Sequence, residues 1–503
     1  MTALAPRNRL GMEIAALGAI AGVTGDALLR AMPWGLNVAI GTATLLAAGV
    51  WLVRRHDIKP GPDAPWLAIT ALLLGAAFLR RDAQTLAAFD TLALILTLAL
   101  AAASLQGEVI SRWYPLDYVR GVATAAFGSI VGSLLLLFSD VQWRELPQDG
   151  RMRHARGVLL GVLIAAPLLV VFAALFASAD QIFGNVLANV FAFDAESVVQ
   201  HTFFFVFWGA LTAGYLRWGL LGRALTILNA EPQPVSSIVP LATALGLINL
   251  LFLLFVVVQL RYFFGSAALI EQTSGLTFAS YARQGFFQLV VASGLVLPIL
   301  LGADHLTRGG TPAQVRVFRQ LAGLLLTLLA VVIASALRRM QLYVAAYGLS
   351  SDRLYATAFM ILLVGVCAWF AWTVLRGART RFALGALMQA FAVLAGLHML
   401  NPDAFIIKTN LNRPVAERPF DANYALTLGA DAAPALIDAL PRLTDADKCI
   451  IAPALRKRWD DESTTDWRTW NWSRARARNL VRDRADALLA ACPNPPKEQH
   501  HDH

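Results

Sequence analysis

The sequence predicts an all-α, polytopic transmembrane helix bundle carrying a small helical extension at its C-terminal end, and three observations predict it. Of 503 residues 57% are hydrophobic and only 15% charged, with a mean hydropathy of +0.58, which does not fit a set of ordinary soluble cores. The apolar residues gather in segments near the ~20-residue length that a ~30 Å hydrocarbon layer demands of a helix rising 1.5 Å per residue. At Leu400 the composition turns polar, dividing the chain into a bundle over 1–400 and a small helical region over 401–503.

Ten segments read as clear spans: Trp34–Val53, Leu86–Leu105, Gly121–Phe138, Gly157–Ser178, Thr202–Leu221, Ile238–Leu260, Phe286–Leu301, Leu321–Leu337, Leu354–Leu375 and Phe382–Leu400. Two more are marginal. Leu10–Leu29 contains Asp26, and Trp66–Leu79 is short enough to be a half-helix or re-entrant piece. The expected count is therefore 11 or 12. Arg7 and Arg9 before the first apolar run resemble a signal-peptide start, but no small-x-small cleavage site follows, so the segment reads as a retained helix.

A net charge of +9 and a pI near 9.8 would suggest nucleic acid as a partner in a soluble protein. The excess lies elsewhere: residues 1–400 hold 27 Lys/Arg against 18 Asp/Glu, and the remainder holds 15 against 15. Basic residues flanking apolar spans set topology and meet anionic head groups, so the lipid bilayer is the expected partner and nucleic acid is not. Beyond Arg120, the loops on one side carry twelve arginines and those on the other five. That bias places the first set in the cytoplasm and the C-terminal tail outside. With Arg7 and Arg9 also inside, the number of crossings is odd, which favours 11 spans with Trp66–Leu79 stopping short. The scarcity of Lys, five of 42 basic residues, together with heavy Ala usage fits a GC-rich bacterial genome and an inner-membrane location.

The connection from Ala179 to Gln200 has Ile182, Phe183, Val186, Leu187, Val190 and Phe191 at helical spacing, as expected of an amphipathic interfacial helix. In the tail, helices are expected near Ala432–Leu440, Ala446–Trp459 and Asp466–Ala491. The last carries Trp467, Trp470, Ala477, Val481, Ala485 and Leu488 on a core stripe, with Arg474, Arg476 and Arg478 on a solvated face. Cys449 and Cys492 share the tail, either as a disulfide or as two separate thiols; paired, they would contribute roughly 4 kcal/mol in the chain-entropy model.

Catalytic motifs are absent from the sequence: no Gly-Lys-Ser/Thr phosphate loop, no Gly-x-Ser-x-Gly, no His-Glu-x-x-His and no Cys-x-x-Cys. No metal or cofactor site is expected, and His500, His501 and His503 read as a frayed polar end. Polar residues within spans are the remaining lead, because burying them in hydrocarbon requires a reason. These are Asp26, Asp90, Arg217, Asn249, Gln389 and His398; Asp26 and Asp90 each lie near a span end, where interfacial water or a pair with Arg30 or Arg80 accounts for them, and interhelical hydrogen bonding is a sufficient account of Asn249 and Gln389. Gly18/Gly22, Gly128/Gly132 and Gly157/Gly161 have small-xxx-small spacing, which predicts close helix packing.

Four stretches stand out: Leu175-Phe-Ala-Ser-Ala-Asp-Gln-Ile-Phe, Tyr281-Ala-Arg-Gln-Gly-Phe-Phe-Gln-Leu, Leu342-Tyr-Val-Ala-Ala-Tyr-Gly-Leu-Ser-Ser-Asp-Arg-Leu-Tyr and Asn401-Pro-Asp-Ala-Phe-Ile. In these, and in Asp466-Trp-Arg-Thr-Trp-Asn-Trp-Ser-Arg-Ala-Arg, the chain resembles a bacterial integral-membrane family, domain of unknown function 4173. The resemblance implies a polytopic inner-membrane protein with Asp180, Tyr281, Arg283, Tyr343, Tyr347, Arg353, Asn401 and Asp403 as motif positions, and it carries no activity across. On the topology above, Asp180, Arg283, Arg353 and Asp403 share the outer side, where they would form an ion-paired scaffold for the tail or the floor of a polar site. Three functions follow in order: transport or flipping of an envelope component; non-catalytic assembly or sensing through a tail that binds an envelope or membrane protein; and transfer onto a lipid-linked substrate.

Overall fold

The computed structural model describes residues 6–143, 195–222, 237–263, 286–413, 419–459 and 466–492, with most of 161–184. Among them there is no strand, and ten helices are long and apolar enough to cross a membrane. The protein is a multi-pass, helical membrane protein.

The bundle comprises α1 (Pro6–Leu29), α2 (Leu36–Arg55), α3 (Ala64–Ala77), α4 (Gln84–Leu105), α5 (Pro115–Leu135, continued by a π turn over Leu136–Asp140), α6 (Ala195–Leu221), α7 (Val239–Phe263), α8 (Phe286–Leu306), α9 (Pro312–Tyr347), α10 (Ser351–Thr373) and α11 (Thr380–Leu400). Local chemistry sets several boundaries. Thr311 and Gln314 form a capping box at the start of α9, with Pro312 in its first turn, and the helix stops at Gly348, whose φ of 84° suits glycine. Asn401, at φ 56°, ends α11, and its side chain accepts the Ala404 N–H at the start of the next helix.

Small residues bring α1 and α6 together: a Cβ on Gly18 would stand 2.7 Å from Ala213 Cβ, and one on Gly22 2.6 Å from the Phe205 carbonyl. Gly128 and Gly132 of α5 likewise lie against Trp218 and Gly214 of α6. Two of the three glycine pairs expected to pack closely do so; a Cβ on Gly161 would meet nothing within 4 Å, and Gly157 lies outside the described residues.

The short helix α3 is apolar but is not one of the ten helices long enough to cross, as the expectation that Trp66–Leu79 stops short has it. Its start lies beside the end of α4, where Gly61 N–H donates to Ser104 O at 2.7 Å, while its end joins the start of α4 through a turn at 78–83. Its 14 residues cover about 21 Å, less than the ~30 Å of a hydrocarbon layer. The ends of α1, α3, α9 and α11 and the starts of α2, α4 and α10 all meet the tail, and we call this the tail face. Arg7, in the first turn of α1, sits at the opposite face, paired with Asp140 at 2.8 Å.

The tail contains α12 (Pro402–Leu411), α13 (Ala422–Thr427), α14 (Ala433–Ala439), α15 (Asp445–Trp459), α16 (Trp472–Asp483) and α17 (Ala485–Ala491). Its core of Ile406, Ile407, Leu436, Ile451, Leu455, Val481 and others continues into the bundle through Leu349 and Leu354. The single helix expected over Asp466–Ala491 is divided: a 3-10 turn at Trp467–Thr469 precedes α16, and Arg484 separates α16 from α17. Ala477, Val481 and Leu488 are core, but Trp467 and Trp470 are exposed, because the turn ahead of α16 leaves the helical stripe. Cys449 of α15 and Cys492 after α17 form a disulfide.

Candidate functional site

The carbonyls of Ala76 and Ala77 at the end of α3 accept the N–H groups of Leu79, Arg80 and Arg81, which leaves the carbonyls of the following turn, 78–81, to be satisfied where protein replaces water. Three consecutive tail residues supply the donors. Asn471 Nδ2 donates to Phe78 O at 2.7 Å and Arg81 O at 2.9 Å, Trp472 N–H to Leu79 O at 2.7 Å, and Ser473 Oγ to Arg80 O at 2.7 Å. Asn471 is itself the N-cap of α16, accepting the Arg474 N–H at 3.1 Å. One asparagine therefore starts a tail helix and closes the turn that follows a bundle helix.

Charged groups surround this cap. Asp82 pairs with Arg474 at 2.6 Å, and Arg474 also donates to Trp34 O at 2.9 Å and Thr469 O at 2.5 Å. Arg81 pairs with Asp431 at 3.0 Å and donates to His398 O at 2.9 and 2.6 Å, closing the end of α11. Asp431 accepts Asp82 N–H at 2.6 Å and shares the single Ser473 hydroxyl proton, at 2.6 Å, with the Arg80 carbonyl, while Asp82 accepts Ala430 N–H at 3.1 Å. The two aspartates thus clasp the opposite backbones. Asp403 accepts Gly429 N–H at 2.8 Å beside them.

Burial pushes the Asp403 carboxyl up to about 6; the Gly429 N–H opposes this, and the neighbouring Asp431 and Asp82 charges reinforce it. Asp82 is also raised by burial, against the pull of Arg474, and burial lowers Arg474 against the pull of Asp82. Immediately behind the seam, His398 Nε2 of α11 lies 2.9 and 3.0 Å from the two oxygens of Asp90 on α4, and both residues are within spans. The hydroxyl of Tyr355 is buried nearby without a hydrogen-bond partner.

The motif residues divide among different roles. Asp403 joins the seam, and Asn401 is a cap. Arg353 donates to the Gly348 carbonyl and stacks over Tyr343, 4.0 Å from its ring centre, with the Tyr347 ring 5.2 Å from that of Tyr343. This cluster closes the α9–α10 turn. Asp180 is exposed and accepts the Phe183 N–H at 3.2 Å. Tyr281 and Arg283 lie outside the described residues, as does most of the connection between Ala179 and Gln200.

The polar residues within spans mostly bridge helices. Asn249 donates to Leu245 O at 2.8 Å and to Leu321 O of α9 at 3.1 Å. Arg217 pairs with Asp140 at 2.5 Å, and Asp26 lies 2.6 Å from His201 Nδ1 and 3.9 Å from Arg30. Gln389 of α11 fills the space over Gly365 of α10.

Sequence reasoning missed Arg81, Asp82, Asp431, Asn471, Ser473 and Arg474 as one network. Their one local signal was Asn471 placed as an N-cap directly behind the Trp-rich turn. The carboxylates here are taken by arginines and backbone N–H groups, and among the described residues no His/Cys/Asp/Glu group is arranged to hold a metal ion.

No curated protein and no solved structure matches the chain. The motif resemblance pointed to domain of unknown function 4173, whereas the family model that matches carries the number 4153. Its match, residues 68–439, starts within α3 and runs through α11 to the end of α14, leaving α1 and α2 outside it, and so includes Asp82, Asp90, His398, Asp403 and Asp431. The chain belongs to the family described as domain of unknown function (DUF4153).

Proposed function

We propose that this chain transports or flips a component of the bacterial cell envelope across the inner membrane, with the tail as an extracytoplasmic cap over the helix ends. The observation that carries the reading is the Asp90–His398 pair. An ionisable pair inside spanning segments is costly and marks proton or substrate pathways. Here it is joined to the cap, because the His398 carbonyl accepts both Arg81 bonds and Arg81 holds Asp431. A change at the pair therefore has a direct route to the seam.

Two features support the outward placement of the tail. Arg54, Arg55, Arg308, Arg316, Arg319, Arg376, Arg379 and Arg381 lie around the ends of spans opposite the tail, the pattern of a cytoplasmic face. The tail disulfide suits an oxidising compartment.

The test is complementation of a deletion strain by Asp90→Asn, His398→Gln and the double variant, with membrane insertion and thermal stability measured alongside. Transport predicts that all three are folded at wild-type levels but leave the envelope composition uncorrected. Full complementation, with loss only when the tail is removed, would sink transport and leave assembly or sensing. That second reading draws support from the saturated seam, which holds the tail as a fixed platform. Transfer onto a lipid-linked substrate loses ground, because Asp82, Asp403 and Asp431 face the seam and not a lipid-sized groove.

A further inference from the structure

The turn ahead of α16 exposes three indoles in six residues, with Trp467 61%, Trp470 42% and Trp472 57% accessible. Large aromatic side chains are normally buried in a water-soluble surface of this size. Backbone bonds fix their height: Leu36 N–H at the start of α2 donates to Trp470 O at 2.9 Å, and Trp472 N–H donates to Leu79 O at the end of α3. Arg468, between the indoles, donates to Ala27 O in the last turn of α1 at 2.5 Å.

Helix α2 then serves as a ruler. Its 20 residues, Leu36–Arg55, cover about 30 Å, the thickness of the hydrocarbon layer. At its far end Trp51, Arg54 and Arg55 line an open groove, with the Arg55 guanidinium 5.2 Å from the Trp51 ring centre. Such Trp and Arg pairs sit at head-group level. The Trp467–Trp472 turn lies at the other end of α2, about 28 Å along the helix from Arg55 and about 23 Å from Trp51, close to the thickness of the hydrocarbon layer. The apolar exterior of the bundle also continues to it, through Val23 of α1 and the exposed Met32 in the α1–α2 turn.

We propose that Trp467, Trp470 and Trp472 insert into the interfacial region of the membrane leaflet on the tail's side, so that the tail is anchored by lipid as well as by the seam. The indole has an apolar body for the acyl boundary and an N–H for head-group oxygens. This surface is independent of what the bundle transports and of which compartment the tail occupies.

The test uses full-length protein carrying Cys367→Ser, reconstituted into phosphatidylethanolamine/phosphatidylglycerol vesicles. A nitroxide is attached at Trp467→Cys, Trp472→Cys or, as a water-exposed reference, Asp445→Cys. Collision with oxygen relative to a water-soluble nickel chelate is expected to be at least about threefold higher at both Trp positions than at Asp445. Ratios matching Asp445 would place the turn in water and overturn the proposal. Shielding from both reagents would also overturn it, by assigning the surface to a protein partner or a second copy. A second readout leaves the cysteines untouched: lipid brominated near the head group should quench wild-type emission more than that of the Trp467→Phe/Trp470→Phe/Trp472→Phe variant. Unchanged quenchable emission would contradict lipid contact.

Discussion

Asp82 and Arg474 are 392 positions apart in sequence and 2.6 Å apart in the structure, joining the turn after the third bundle helix to the first turn of α16. Both side chains are largely buried, and Arg474 also satisfies carbonyls at Trp34 and Thr469. Removing one partner of such a pair leaves a buried charge uncompensated, which costs about 3 to 5 kcal/mol. Arg474→Met should therefore release the tail, read as rapid cleavage of its linker by protease under conditions where the wild type resists. Lysine should not rescue it, since a single ammonium cannot reach the carboxylate and two carbonyls in the guanidinium's planar arrangement. The double variant Asp82→Asn/Arg474→Met should be less unstable than the sum of the single changes. Strict additivity would show that the two residues do not act as a pair.

Two glycines permit the close approach of tail and bundle. A Cβ on Gly35 would stand 2.4 Å from Trp470 O and 2.8 Å from Thr469 O, and one on Gly429 would stand 2.5 Å from Asp82 O. Backbone atoms cannot swing aside as a flexible side chain does, so Gly35→Ala and Gly429→Ala should each lower stability by about 1 to 3 kcal/mol. Gly246, with open space around its Cβ position, is the comparison: Gly246→Ala should be neutral or stabilising in thermal unfolding.

The bundle was legible because hydropathy alone marks spans, and the seam was not, because its members lie far apart in sequence and look ordinary there. Arg474 stands with Arg476 and Arg478 in an alternation typical of a solvated face, and nothing local distinguishes the one that is buried. Asp431 lies in Gly429-Ala-Asp-Ala-Ala-Pro, a phrase that reads as helix rather than as a clasp. Asp403 is marked by motif, but its partner, the Gly429 N–H, depends on tertiary folding, whereas Cys449 and Cys492 were legible as a possible pair. The indoles misled for a physical reason: helical periodicity was extended backwards past Asn471, the residue that caps α16.

The seam carries its own pH dependence through Asp403. Its carboxyl titrates at about 6 when folded and near 3.8 when exposed, so between those values the folded protein holds a proton that the unfolded chain has lost. Stability should fall as pH rises through that window, by up to about 3 kcal/mol, and stay at the lower level above it. Asp403→Asn keeps an acceptor for the Gly429 N–H without the buried charge. It should raise the unfolding temperature at pH 7.5 and flatten the profile between pH 4 and 6. An undiminished slope in this variant would assign the effect to another group, with Asp82 next in line because burial raises it in the same direction.

The disulfide tests both the stability of the tail and the side of the membrane that it occupies. Cys449 and Cys492 are 43 residues apart, and closing a loop of that length restricts the unfolded chain by about 4 kcal/mol. Cys449→Ser/Cys492→Ser should therefore make the tail protease-sensitive while leaving the spans inserted. In intact cells, a membrane-impermeant maleimide should label the tail only after reduction, since Cys367 is held within a span. Labelling that appears only in permeabilised cells would put the tail in the cytoplasm, reverse the proposed orientation, and remove the extracytoplasmic cap from the transport reading. Labelling of intact cells without reductant would keep the tail outside but show the two thiols unlinked, and the double serine variant would then be no less stable than the wild type.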